Sequence, residues 1–160
     1  MPNKKNHTKK DDSSFMYPSL HASVLSALNG AISPQPTFHR RYSAKDASQV
    51  YETHIMGRFR CPNNNCTAHG WASKKIAITI REYPGNEYNA LVFNQRCKRC
   101  EELGVLTLDI ESYVDRVAYR LKRWAGVWAE RPEYSEKKGL PHKSSLCEGC
   151  KIGVCKEGFD

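Results

Sequence analysis

Cysteine spacing constrains this chain more than any other feature. Four of the seven cysteines form two pairs, Cys61 with Cys66 and Cys97 with Cys100. Between the pairs lie the apolar runs 76–80 and 90–93, separated by a Pro-Gly-Asn turn at 84–86. Two antiparallel strands joined by this turn would bring four thiolates to one tip of a β-ribbon. Four thiolates in a tetrahedral array are what a structural zinc ion requires.

The C-terminal part carries a second candidate set of metal ligands. Its members follow the spacing H-x4-C-x2-C-x4-C and are His142, Cys147, Cys150 and Cys155. Together with the two pairs they make eight ligands, which predicts two zinc ions per chain with no ligand left over. Short loops cost less entropy to close, which favours one site within each set. Pairing of the tail with the first cysteine pair stays open.

The cysteine spacing and the net charge limit the class of protein to which this chain can belong. Paired cysteines in a reduced compartment indicate metal rather than disulfides, and no secretory signal or membrane-spanning stretch is visible in the sequence. We therefore expect a cytoplasmic or nuclear location without a stable membrane anchor. The net charge is +8. Residues 57–100 hold eight Lys or Arg against two Glu, so the predicted ribbon is the basic part and is compatible with a phosphate-bearing partner.

The pattern along the chain predicts a small zinc-stabilised α+β domain. Residues 1–47 are expected to be a disordered basic N-terminus with a short amphipathic helix, packed on the domain, and a Pro-rich linker. Residues 48–156 form the zinc-binding domain, and 157–160 form a tail. Alternating apolar residues in 75–81 predict a strand with one buried and one wet face.

A helix is predicted after the strands. Asp109 is a plausible N-cap, and Pro132 is expected to end the helix. Its apolar stripe consists of Ile110, Val114, Val117, Leu121, Trp124 and Trp128. The expected architecture is thus an antiparallel zinc β-ribbon with one long helix and a C-terminal zinc knuckle.

Four parts of the chain form a recognisable set of motifs, namely 57–61, 71–76, 93–100 and His142 with 147–155. This set resembles the three-CxxC zinc-ribbon family, which includes receptor-transporting proteins, zygote arrest proteins and small fungal relatives. The first pair departs from the usual C-x2-C spacing, and Cys66 with His69 offers a rival C-x2-H pair. We prefer Cys61, because it follows a Gly-Arg-Phe strand as the family motif does. Residues 1–47 lie outside the resemblance, and their helix resembles an addition of the fungal type.

Two binding functions follow, and catalysis is not expected. Catalytic zinc needs a nearby general base and an open coordination position, and the sequence contains no motif typical of such a site. In the first function the ribbon binds RNA, as the resemblance to zygote arrest proteins implies, with exposed aromatics such as Phe59 or Tyr88 stacking on bases. The residues predicted to meet phosphates are Lys74, Lys75, Arg81, Arg96, Lys98 and Arg99. The alternative is a protein-partner or escort module that aids membrane-protein trafficking, as in receptor-transporting proteins, through an apolar patch or the helix within 15–28.

Overall fold

A six-stranded sheet forms the centre of the computed structural model, which describes residues 13–132 and 142–155. The strands are β1 (Ser14–Phe15), β2 (Thr37–Phe38), β3 (Gln49–Arg60), β4 (Gly70–Tyr83), β5 (Glu87–Phe93) and β6 (Val105–Leu108). The α-helices are α1 (His21–Leu28), α2 (Ile110–Trp124) and α3 (Glu148–Lys151), with 3-10 turns at Pro18–Leu20 and Ser144–Leu146. The strand order is β1-β5-β4-β3-β6, and β2 also pairs with β5. Only the β2–β5 pair is parallel among the described strands.

The β3–β4 hairpin is the longest pairing and carries the first metal site at its end. Its register runs from Gln49 opposite Glu82 to Arg60 opposite Gly70, with an irregularity between Ile55 and Gly57. At that bulge β4 has one residue more than β3, which increases local twist and re-aims the outer part of the hairpin. The alternation of β3 is uninterrupted, so its odd-numbered residues all face the same side of the sheet.

The helices α1 and α2 cover that side of the sheet. The core between them is aliphatic and aromatic, and includes Val24, Leu28, Ile55, Ile76, Ile78, Ile80, Tyr88, Val92, Tyr113, Val117 and Leu121. Asp109 caps α2 as predicted, with its carboxylate accepting a hydrogen bond from the Ser112 N–H at 3.1 Å. Val114, Val117 and Leu121 of the predicted apolar stripe pack in this core, whereas Ile110 at the start of the stripe is 53% exposed.

The prediction of one long helix is wrong. The longest helix in the described residues has 15 residues and ends at Trp124, well before Pro132. Gly126 adopts φ +77°, and the N–H groups of Gly126 and Val127 return to Arg123 O and Lys122 O. This is a Schellman ending, which a glycine permits because it has no Cβ. Trp128 therefore lies beyond the end of the helix, outside the apolar stripe, and is 83% exposed.

The opposite side of β4 is also covered, which corrects the prediction of one wet face. Ala77 is fully buried and Thr79 is 3% exposed. Ala77 lies under the C-terminal knuckle, together with Leu91 and Phe93 of β5. Farther along β4, Arg81 donates a hydrogen bond to the carbonyl of Tyr42. Alternation within a strand shows which residues share a face, but covering segments distant in sequence decide whether that face is exposed.

Residues 13–47 pack on the same sheet. β1 and β2 pair with β5, and Val24 and Leu28 of α1 enter the core, as expected for a helix packed on the domain. The predicted domain limits at 48 and 156 remain a prediction. The disorder expected before residue 13 and the tail at 157–160 lie outside the described residues.

Candidate metal centres

The first cluster joins the loop after β3 to the turn after β5. Its ligand atoms are the sulfurs of Cys61, Cys66, Cys97 and Cys100, all within 4.8 Å of one another. The Sγ atoms of Cys61 and Cys100 are 3.5 Å apart, and those of Cys66 and Cys97 are 3.8 Å apart. Zn–S bonds of about 2.3 Å in a tetrahedron separate sulfurs by about 3.8 Å. The cluster therefore has the dimensions of a four-thiolate zinc site.

Backbone hydrogen bonds shape both loops of this cluster. The Cys66 N–H donates to Asn63 O, and the Cys97 N–H donates to Glu102 O. Glu101 adopts φ +64°, which lets its N–H return to Cys97 O at 2.7 Å. These tight turns hold each cysteine pair on one side of its loop, so that the two pairs face each other.

The thiols of the first cluster ionise unequally. The Glu102 N–H lowers the pKa of Cys100 to about 7. The Asn63 N–H also lowers the pKa of Cys61, but desolvation and the neighbouring thiols outweigh it and raise that pKa to about 12. Thiolates this close repel one another, so they cannot all ionise without a cation among them. A divalent cation such as Zn²⁺ removes that conflict.

The second cluster lies on the sheet face opposite α1 and α2. Its ligand atoms belong to His142, Cys147, Cys150 and Cys155, and again lie within 4.8 Å of one another. His142 Nε2 is 3.3 Å from the Cys150 sulfur and 3.6 Å from the Cys155 sulfur. The Cys147 sulfur caps α3 by accepting from the Cys150 N–H at 3.4 Å. This is the N/S donor set of a structural zinc site.

Both clusters fit zinc, and the prediction of two Zn²⁺ ions per chain is confirmed by them. Each offers four N or S donors, the number in a closed structural site. The division of ligands agrees with closure of short loops. Cys61 belongs to the first cluster, whereas the exposed His69 contributes only its backbone carbonyl, which accepts from the Cys61 N–H.

Backbone pairing fixes the second cluster on the sheet. Gln95 forms an antiparallel bridge with Cys147, and the Glu148 N–H donates to Asn94 O. The Arg96 guanidinium forms an ion pair with the Glu148 carboxylate at 2.9 Å. The chain after β5 thus continues as an edge to which the knuckle attaches, between the two metal sites.

Gly149 allows the knuckle to approach the sheet closely. A Cβ at this position would lie 2.6 Å from the Cβ of Ala77, which is fully buried. We expect Gly149→Ala to destabilise the second site by an overpacking cost of about 1–3 kcal/mol, offset by up to about 1 kcal/mol of helix propensity. Zinc release to a chelator and urea unfolding measure the effect.

A double-mutant cycle separates the clash from helix propensity. Ala77→Gly removes the methyl group that the new side chain would meet, so Gly149→Ala should cost less in that background by about 1 kcal/mol or more. An equal cost of Gly149→Ala in both backgrounds would show that the knuckle is not seated on Ala77.

His54 is a site residue that the sequence did not single out. It lies on β3 with its Nε2 3.3 Å from the Cys155 sulfur, and its ring centroid is 6.3 Å from that of His142. It is not a member of the four-ligand cluster. Its place is that of a hydrogen-bond donor to a metal-bound thiolate, the kind of contact that orients ligands. The only sequence signal was strand alternation, which gives its face but not its partner.

The residues predicted to contact RNA phosphates lie in separate parts of the structure. Lys98 and Arg99 are exposed in the turn of the first cluster, and Lys74 and Lys75 lie at the β-bulge. Arg81 donates to Tyr42 O near the other end of β4, and Arg96 is paired with Glu148. The predicted aromatic platforms are wrong, because Phe59 is only 4% exposed and Tyr88 is fully buried.

Two further arginines lie close to the first cluster. Arg58 and Arg60 are exposed on the even-numbered face of β3. Their neighbours across the sheet are small or short side chains, namely Ala72 and Thr107 beside Arg58, and Gly70 and Val105 beside Arg60. No described element covers this three-stranded patch. The alternation of the sequence already indicated that Arg58 and Arg60 share an exposed face, because they flank the buried Phe59.

Comparison with known proteins gives one match. Residues 54–153 match the model of the family Zn_ribbon_3CxxC, described as a zinc-binding domain. Searches among curated proteins and among solved structures give no match. Among the described residues, none of the helices has the length and apolar character needed to cross a membrane.

Proposed function

The chain belongs to the Zn_ribbon_3CxxC family of zinc-binding domains, and we propose that it is a non-enzymatic module that binds single-stranded RNA. The binding surface is the basic tip, which consists of Arg58, Arg60, Lys98 and Arg99. The observation that carries the proposal is the exposure of four basic side chains beside the first metal site, two on the open sheet face (Arg58 and Arg60) and two in the adjoining turn (Lys98 and Arg99).

The metal site brings the two halves of the basic tip together. Arg60 directly precedes Cys61, and Arg99 directly precedes Cys100, whose sulfurs are only 3.5 Å apart. Arg58, two residues before Arg60, lies on the same face of β3. Charges that are far apart in sequence are therefore concentrated at one end of the molecule, where they attract a polyanion.

The buried aromatics decide the mode of binding. Phe59 and Trp71 stack on each other at 5.0 Å with an interplanar angle of 13°, on the face opposite Arg58 and Arg60. Phe59 is buried and is therefore not available as a platform for bases, and it covers one face of the partly buried Trp71 ring. Binding through the basic tip is thus expected to rest on phosphate contacts, with low sequence preference and strong salt dependence.

The resemblance to zygote arrest proteins supports RNA as the polyanion. The alternative is a protein-partner or escort role, and the escort role would use an apolar patch or the helix within 15–28. Val24 and Leu28 of that helix are buried in the core, so these two residues are not available to a partner. The alternative becomes the conclusion if RNA binding fails.

Titration of labelled single-stranded RNA at several salt concentrations tests the proposal. The double variants Arg58→Ala/Arg60→Ala and Lys98→Ala/Arg99→Ala should each lower the salt slope by about 1.4, or about 0.7 per lost contact. At about 0.1 M salt the same relation gives roughly 25-fold weaker binding. Glu102→Lys, at an exposed position in the same turn, should strengthen binding.

A charge-matched control separates the basic tip from net charge. Arg40→Ala/Arg41→Ala removes two exposed arginines elsewhere and should leave the salt slope nearly unchanged. Zinc content and circular dichroism verify that each variant is folded. Equal loss in the control would assign binding to overall charge, and absence of RNA binding by the parent chain below about 100 μM would favour a protein partner.

A further inference from the structure

Three arginines converge on a small cavity between β3 and α2, and we propose that this cavity is a binding site for a single phosphate group. The cavity has a volume of about 30 Å³ and is called the arginine pocket below. Its lining residues are Tyr51, Thr53, Arg116, Tyr119, Arg120 and Arg131. The site is separate from both metal clusters and from the basic tip.

Arg120 is the central group of the arginine pocket. Its guanidinium carbon lies 3.4 Å from the centroid of the Tyr51 ring, a stacked cation–π arrangement that fixes the guanidinium plane. Its Nε is buried and has no hydrogen-bond partner among the described residues. The Nη groups of the same guanidinium are then the donors with which Arg120 would meet an oxyanion in the pocket.

The described lining of the pocket is basic. Arg116, Arg120 and Arg131 belong to it, and none of the lining residues within 13–132 and 142–155 is acidic. Glu52 lies between Tyr51 and Thr53 in sequence but on the other face of β3, as strand alternation requires. Arg116 also donates to the Thr53 hydroxyl at 3.4 Å, which holds its guanidinium against the strand.

Size and donor geometry define the ligand. A cavity of this volume has no room for a nucleobase or an organic cofactor, but it suits a single compact group. Guanidinium groups present planar forks of N–H donors that match the oxygens of phosphate. Three of them complement a dianionic phosphate better than a singly charged carboxylate. Free phosphate and a phosphomonoester share this chemistry.

The position distinguishes this site from the proposed RNA surface. Tyr51 and Thr53 are odd-numbered residues of β3 and face α2, whereas Arg58 and Arg60 project from the other face near the first metal site. Failure of RNA binding at the basic tip would therefore leave this proposal unaffected, and the reverse also holds.

Titration of the zinc-loaded full chain with sodium phosphate, at constant ionic strength set by chloride, tests the proposal. The Arg120 Nε–Hε resonance should shift saturably with phosphate, and acetate should bind about tenfold more weakly. Arg120→Lys keeps the charge but loses the fork, so it should weaken phosphate binding about tenfold or more. Phenyl phosphate is the second arm: tighter binding than phosphate identifies an esterified group, and weaker binding identifies the free anion.

Matched variants keep the test decisive. Arg123→Lys, exposed on the same helix and outside the pocket, should bind phosphate like the parent chain. Arg131→Gln lies beyond the helix and should weaken binding even if Arg120→Lys disturbs the contact with Tyr51. The proposal is overturned if phosphate gives no saturable shift at about 10 mM, or if Arg123→Lys weakens binding as much as Arg120→Lys and Arg131→Gln do.

Discussion

Replacing Cys97 by Ser is expected to unfold most of the chain and to abolish zinc binding at the first site. Cys97 is fully buried, and its site joins the β3–β4 loop to the turn between β5 and β6. Structural zinc supplies on the order of 10 kcal/mol or more of folding free energy. Since a whole domain is stable by only about 5–15 kcal/mol, loss of this site should leave little net stability.

Metal analysis and circular dichroism during urea unfolding measure the effect of Cys97→Ser, and Cys100→Ser should behave alike. Thr67→Ser is the matched control, because it changes an exposed residue next to Cys66 without removing a ligand. It should retain two zinc ions and the parent transition. A Cys97→Ser chain that keeps two zinc ions and unfolds like the parent would refute the four-thiolate site.

Local patterns in the sequence predicted most of what lies close to the metal. The cysteine spacings identified both ligand sets, because zinc geometry restricts which residues can meet around one ion. The Asp109 cap was also readable, since an N-cap needs only its own first turn. These features are determined by residues close together in the chain, and they can therefore be predicted from the sequence.

One local feature conflicts with the apolar period. Gly126 ends the helix within its last turn, whereas the apolar period continues to Trp128 and predicts a longer helix. Features that depend on distant packing were not readable. Burial of Ala77 depends on Gly149, 72 residues later in the chain. In the same way Arg96 is predicted from the sequence to contact RNA, but in the structure it forms an ion pair with Glu148. Charge counts along a segment cannot show which charges are paired with others far away in sequence.

Replacing His142 by Ala is expected to remove the zinc ion of the second site while the first site keeps its own. His142 supplies the only nitrogen in its cluster, and without it three cysteines remain. Because the knuckle covers Ala77, Leu91 and Phe93, its release should also expose apolar surface and lower stability. Metal analysis should fall from two zinc ions to about one, and His142→Cys should largely restore the second.

His54 provides the decisive comparison for the second site. If it only donates a hydrogen bond to the Cys155 thiolate, His54→Gln should keep two zinc ions and lower the affinity of the second about 10- to 100-fold, as loss of an outer-shell partner does. The visible ligand-field bands of the cobalt-substituted protein report the coordination number and donor set, and they should change in His142→Ala but hardly in His54→Gln. Loss of the second metal from His54→Gln, with retention in His142→Ala, would show that His54 is the fourth ligand. That result would place the metal closer to β3 and leave His142 as the outer partner, because both imidazole rings lie near the same Cys155 sulfur.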